Sequence, residues 1–134
     1  MLVWLAIGFG GALGALARWS IGEAFVASLG SPVLGSQGFP WDTLVANVIG
    51  CAAIGVLAPL VIRRSAWVAG FAVTGFLGGF TTYSAFAEET FALLDRGDVL
   101  GAGLAVTYVL VTITATSIAV MIGSRLIPAE GGRA

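Results

Sequence analysis

Four long apolar stretches, separated by short polar ones, organise the chain. Met1 to Ala17 is uncharged and runs into Arg18; Thr43 to Ile62 gives 20 uncharged residues, Ser65 to Ala87 gives 23 and Val99 to Ser124 gives 26. At a rise of about 1.5 Å per residue, about 20 helical residues cross the hydrocarbon of a bilayer. The last three runs reach that length alone, and the first reaches it when Arg18 is taken into the helix. The pattern predicts an all-α membrane protein with four spans, over about 2–28, 43–62, 65–94 and 98–126, in one domain covering 1–134. A cleaved signal peptide is the competing reading of the first run. Met1-Leu2-Val3-Trp4 lacks the basic segment such a peptide needs. Gly10, Gly14, Arg18 and Gly22 also recur every four residues, which is a packing stripe and favours a retained helix. The segment from Ser31-Pro32 to Pro40-Trp41 is rich in turn residues, and Arg63-Arg64 and Asp95-Arg96-Gly97-Asp98 mark the other two turns. Arg63, Arg64, Arg125 and Arg133 then fall on one side of the membrane, against Arg96 and at most Arg18 on the other. That small excess favours cytoplasmic termini.

Composition removes whole classes of function. Of 134 residues, 58% are hydrophobic and only 10% charged, and the mean hydropathy is +1.02. A soluble domain carries about 25% charged residues, so these side chains cannot cover a water-facing surface. A net charge of −1 leaves no basic patch for nucleic acid. With no histidine and one cysteine, there is no Ser–His–Asp or Cys–His set, no intrachain disulfide and no cysteine-pair metal site. Cys51 reads as a small packing residue. An enzyme is not expected.

The third run holds the most unusual segment, Gly75-Phe76-Leu77-Gly78-Gly79-Phe80-Thr81-Thr82-Tyr83-Ser84-Ala85-Phe86. Gly75 and Gly79 form a small-xxx-small pair that lets helices approach. Alternatively, Gly-Gly followed by Thr-Thr breaks the helix and frees carbonyl oxygens, which bind a small hard cation if the break is buried or lines a cavity. Tyr83 and Phe86 share a helix face, and a ring edge is positive enough to meet an anion; packing is the other use of such aromatics. Asn47, inside the second run, either glues helices together or offers its two N–H donors to an ion. Tyr108, Thr112 and Thr116 stand four residues apart and make a hydroxyl track, although a lone membrane threonine commonly bonds its own i−4 carbonyl. Arg18 is the one charge well inside a run; Glu88 and Glu89 read as interfacial charges where the third run ends. Amide, hydroxyl and ring edge together suit a small anion that must both enter and leave. The residues alone do not select which anion. Four close-packed helices leave little room for a route within one subunit, so an oligomer is expected.

Three segments resemble the Fluc/CrcB fluoride channels. They are Gly10-Gly11-Ala12-Leu13-Gly14-Ala15-Leu16-Ala17-Arg18-Trp19, Asp42-Thr43-Leu44-Val45-Ala46-Asn47-Val48-Ile49-Gly50 and, most specifically, Gly78-Gly79-Phe80-Thr81-Thr82-Tyr83-Ser84-Ala85-Phe86. The resemblance implies an antiparallel, dual-topology homodimer in the bacterial inner membrane, with two pores that release fluoride passively from the cytoplasm. It implies a structural Na+ at the dimer centre, held by the backbone carbonyls of Gly78 and Thr81 at a break in the third span. It implies a pore set of Asn47, Tyr83, Phe86, Ser84, Tyr108, Thr112 and Thr116, with Arg18 matching a motif arginine. Tyr83 stands where the family usually has Phe, Asp42 where it has Gly and Ala46 where it has Val. Two other readings compete. A small four-span multidrug/proton exporter needs a carboxylate deep in its first helix, where this chain has only Glu23, near the helix end. A non-transporting assembly subunit would account for the glycine stripes but has no use for the Asn47, aromatic and hydroxyl set.

Overall fold

A computed structural model describes residues 1–29, 38–61 and 65–127. The turn at Arg63-Arg64, Arg133 and most of the 31–40 connection lie outside them. Every regular element among the described residues is helical: α1 (Leu2–Leu29), α2 (Trp41–Val61), α3 (Ala66–Ala69), a wide π-helical stretch (Gly70–Leu77), α4 (Gly78–Phe80), α5 (Tyr83–Asp95) and α6 (Val99–Leu126). α1, α2 and α6 are long and apolar enough to cross a membrane. Their ends follow local chemistry. Asp42 sits in the first turn of α2, where its charge suits the helix dipole. Asp98 caps α6 by accepting the Gly101 N–H. Between α5 and α6 the chain turns through Gly97, whose φ of +68° suits a residue without Cβ.

The third apolar run is not one continuous helix. α3 is capped by Ser65, whose side chain accepts the Val68 N–H, and helical geometry runs on to Phe80. Thr81 (φ −77°, ψ 153°) and Thr82 (φ −142°, ψ 125°) are extended, and helix resumes at Tyr83.

Glycines set the packing. A Cβ on Gly10 would strike the Phe71 carbonyl oxygen, and one on Gly14 the Phe76 carbonyl oxygen; one on Gly75 would lie 2.6 Å from the Ile7 carbonyl oxygen. The stripe on α1 is therefore the seat of the 66–80 segment. On the other side, α2 and α6 meet backbone to backbone, Gly55 against Val120 and Gly123 against Ala52. The buried core, Leu44, Leu93, Ala105 and Tyr108, lies between α2, α5 and α6, with Phe39, Val48 and Phe86 packed on it. Large apolar side chains face outward on every long helix, among them Trp4, Phe9, Leu16, Leu110 and Ile122. Such a surface belongs in lipid or against another chain.

Candidate functional site

The Thr81–Thr82 interruption is pinned by α2. Asn47, buried in the middle of that helix, accepts the Thr82 N–H at Oδ1 (2.8 Å) and donates from Nδ2 to the Thr82 carbonyl (3.1 Å). Its carboxamide thus pairs with one residue's backbone much as a neighbouring strand would. Both alternatives for Asn47 meet here: it ties two segments together, and its amide has a second N–H. Thr82 Oγ1 accepts the Ala85 N–H (3.1 Å) and restarts the helix as an N-cap. Thr81 Oγ1 donates back to the Leu77 carbonyl (2.9 Å). Beneath the interruption, Gly50 leaves room for Thr81 and Phe80, the latter 3.2 Å from where a Cβ would stand.

A cavity of about 420 Å³ opens beside this clamp. Asn47 and Cys51 of α2 form one wall, and Thr81, Thr82, Tyr83 and Phe86 form the second. Thr112 and Thr116 of α6 form the third. Among the described residues, the lining contains no charged side chain. The Tyr83 and Phe86 rings are 6.0 Å apart, and Tyr83 is 81% exposed, so it stands at the open edge. Thr116 Oγ1 is committed to the Thr112 carbonyl (2.7 Å), the usual local bond of a membrane threonine. Thr112 differs: it is buried, and its Oγ1 has no hydrogen-bond partner among the described residues.

Two expected pore residues lie outside the lining. Ser84 is exposed and within 3.2 Å of Thr82 Oγ1. Tyr108 is fully buried, and its hydroxyl donates to Glu89 Oε2 at 2.5 Å. Thr43 Oγ1 donates to the other oxygen, Glu89 Oε1, at 2.6 Å. Glu89 is therefore not the interfacial charge expected from its place near the end of the run; it is buried between α2, α5 and α6, while Glu88 faces outward. The tilted Phe86–Tyr108 ring pair, 5.2 Å between centroids, joins this cluster to the cavity. Arg18 is half-buried, with its Nε buried and unpartnered among the described residues, and it does not line the cavity.

A family model described as CrcB-like protein, Camphor Resistance (CrcB), matches residues 5–124. The chain belongs to the CrcB family. Among the relatives of this CrcB chain, a fluoride-specific ion channel FluC from Rhizobium leguminosarum bv. trifolii is 38% identical over 126 residues, 92% of this chain and 94% of its own. One from Francisella philomiragia is 38% identical over 129 residues, 91% of this chain and 92% of its own. A third, from Bordetella bronchiseptica, is 44% identical over 99 residues, 72% and 70% of the two chains.

The CrcB chain brings Asn47, Tyr83, Phe86, Thr112 and Thr116 to one cavity and leaves Ser84 and Tyr108 outside it. The Thr43–Glu89–Tyr108 cluster is the part that reading the residues missed. Its signal lay in spacing: Thr43 is four residues before Asn47, and Glu89 three after Phe86, so each shares a helix face with a residue already singled out.

Proposed function

We propose that this CrcB-family chain is a fluoride channel, a passive conductor and not an enzyme, that relieves the cytoplasm of fluoride. The observation that carries the reading is the cavity: a carboxamide, two aromatic rings and the Thr112 side chain, whose buried hydroxyl has no partner among the described residues, line it together with no fixed charge among those residues. Neutral donors can replace part of an anion's water and still let it go, whereas an arginine or lysine there would hold it. Fluoride, the most strongly hydrated halide, needs such donors most. The curated relatives named as fluoride-specific ion channels support the same reading.

The finer features belong to the same proposal. The interrupted segment over about 65–94 is the third of four crossings, and the protein is an antiparallel dual-topology homodimer in the bacterial inner membrane, with two pores. The exposed apolar faces and the open edge at Tyr83 support a second copy closing the cavity. Na+ at the dimer centre fits the carbonyls of Gly78 and Thr81, which are hard oxygen donors. One copy supplies two of them, and a two-fold partner makes four. Bound there, the ion would neutralise those carbonyl dipoles and tie the two copies together. The four-span exporter is disfavoured because the buried carboxylate, Glu89, lies outside the cavity lining and accepts two short hydrogen bonds.

Purified protein in fluoride-loaded liposomes, followed with a fluoride electrode, tests the function. Release from protein-containing vesicles and not from empty ones is expected; no release from folded protein refutes it. Tags scored on both sides of the membrane test dual topology, and a single orientation sinks it.

A further inference from the structure

We propose that Asn47 and Thr82 are positioning residues for the cation site: their side-chain oxygens hold open the two carbonyls that would ligate sodium. The inference rests on the sodium reading above. In an uninterrupted helix the Gly78 carbonyl accepts the Thr82 N–H, and the Thr81 carbonyl accepts the Ala85 N–H. Both donors are diverted here. The Thr82 N–H goes to Asn47 Oδ1 at 2.8 Å, and the Ala85 N–H goes to Thr82 Oγ1 at 3.1 Å. The carbonyls of Gly78 and Thr81 are thereby among those left without a helical donor where the helix stops at Phe80 and restarts at Tyr83.

The Gly-Gly pair therefore weakens the helix, but two side-chain acceptors open it. A glycine costs about 1 kcal/mol in a helix interior, which loosens a turn without fixing where the chain leaves the helix. Asn47 fixes that point at Thr82. Its Nδ2–H to the Thr82 carbonyl at 3.1 Å closes the second half of the bracket and holds Thr82 extended, away from the helical register in which its N–H would return to Gly78. Thr81 does not interfere, because its own hydroxyl is turned back to Leu77. Gly78 itself is exposed, which leaves its position open to approach by a partner copy. Asn47 also lines the cavity, so one side chain serves both the anion route and the cation site.

The test is the sodium dependence of thermal unfolding of the detergent-purified full chain. It is run without fluoride, with N-methylglucamine replacing sodium at constant ionic strength. N47A removes the acceptor for Thr82 N–H, and T82V replaces the capping hydroxyl by a methyl of the same shape. Each should raise the half-saturating sodium concentration about tenfold, the equivalent of one hydrogen bond's net worth. T82S, which keeps the hydroxyl, and T112V, which alters only the cavity, should stay within about twofold of the wild type. An unchanged sodium midpoint in folded N47A and T82V overturns the inference. If N47A does not fold, the contrast between T82V and T82S decides, and equal midpoints overturn it. A wild type that shows no sodium dependence refutes the sodium site itself, and this inference with it.

Discussion

Replacing Thr112 by valine exchanges a hydroxyl for a methyl of nearly the same volume. Thr112 is only 6% exposed, and its Oγ1 is buried with no hydrogen-bond partner among the described residues. A buried polar atom left unsatisfied costs about 1–3 kcal/mol. The substitution removes that cost and adds no strain, because the methyl occupies the space the hydroxyl leaves. T112V should therefore be more stable than the wild type by about 1–3 kcal/mol, read as a higher midpoint in reversible unfolding by SDS in mixed micelles. If the hydroxyl is held unsatisfied because it serves the anion, the same variant should conduct fluoride at least about tenfold more slowly in liposomes, since a hydrogen bond to a charged group is worth about 1.5–3 kcal/mol. Stability gained with activity lost is the signature of a functional polar group. A variant that is destabilised by more than about 0.5 kcal/mol and conducts as the wild type does would refute the reasoning.

Three further outcomes are expected. Y108F deletes the hydroxyl that Glu89 Oε2 accepts from at 2.5 Å and should cost about 1.5–3 kcal/mol in the same unfolding assay, the opposite sign to T112V although both lie on one helix face; equal stability would remove Glu89 from the core's support. G75A sets a Cβ 2.6 Å from the Ile7 carbonyl oxygen, where backbone cannot yield, and should destabilise by about 1–3 kcal/mol; wild-type stability would mean that α1 is not seated there. The Asp98 carboxyl is held below the usual carboxylate range, first by the Gly101 N–H and then by Arg96. Its support of the α6 terminus is present above its unfolded value and is lost as pH falls through the lower folded one. D98A should lower the melting temperature at neutral pH and abolish that acid-side loss, whereas a variant with the wild-type pH profile would exclude the cap.

The length of the uncharged apolar runs made the long helices legible, because a membrane helix satisfies its backbone internally and needs only length and hydrophobicity. The glycine stripe of α1 was legible for the same reason: small residues every four positions have no purpose in lipid except close approach. The Asn47, Tyr83, Phe86 and Thr112 set could be picked out because polar and aromatic groups stand out against apolar runs. What could not be read was which hydroxyl faces what. Tyr108, Thr112 and Thr116 stand in helical register, yet one supports Glu89, one has no partner among the described residues and one bonds its own helix. Those fates are set by α2 and α5, distant in sequence. Glu89 was misread because nearness to a run's end suggests an interface, while Thr43, 46 residues away, supplies the donor that lets a carboxylate stay buried. The clamp on Thr82 was equally hidden, since it depends on helix α2 presenting Asn47 to a backbone 35 residues on.

Passive, electrogenic fluoride conduction is the central claim, and one measurement meets it directly. Vesicles carrying the protein and loaded with potassium fluoride are diluted into fluoride-free medium with and without valinomycin, and fluoride is followed at the electrode. A channel moving a bare anion builds a voltage that stops it, so release should be slight until valinomycin lets potassium follow and then run to completion. Complete release without valinomycin, or none with it, would contradict the account.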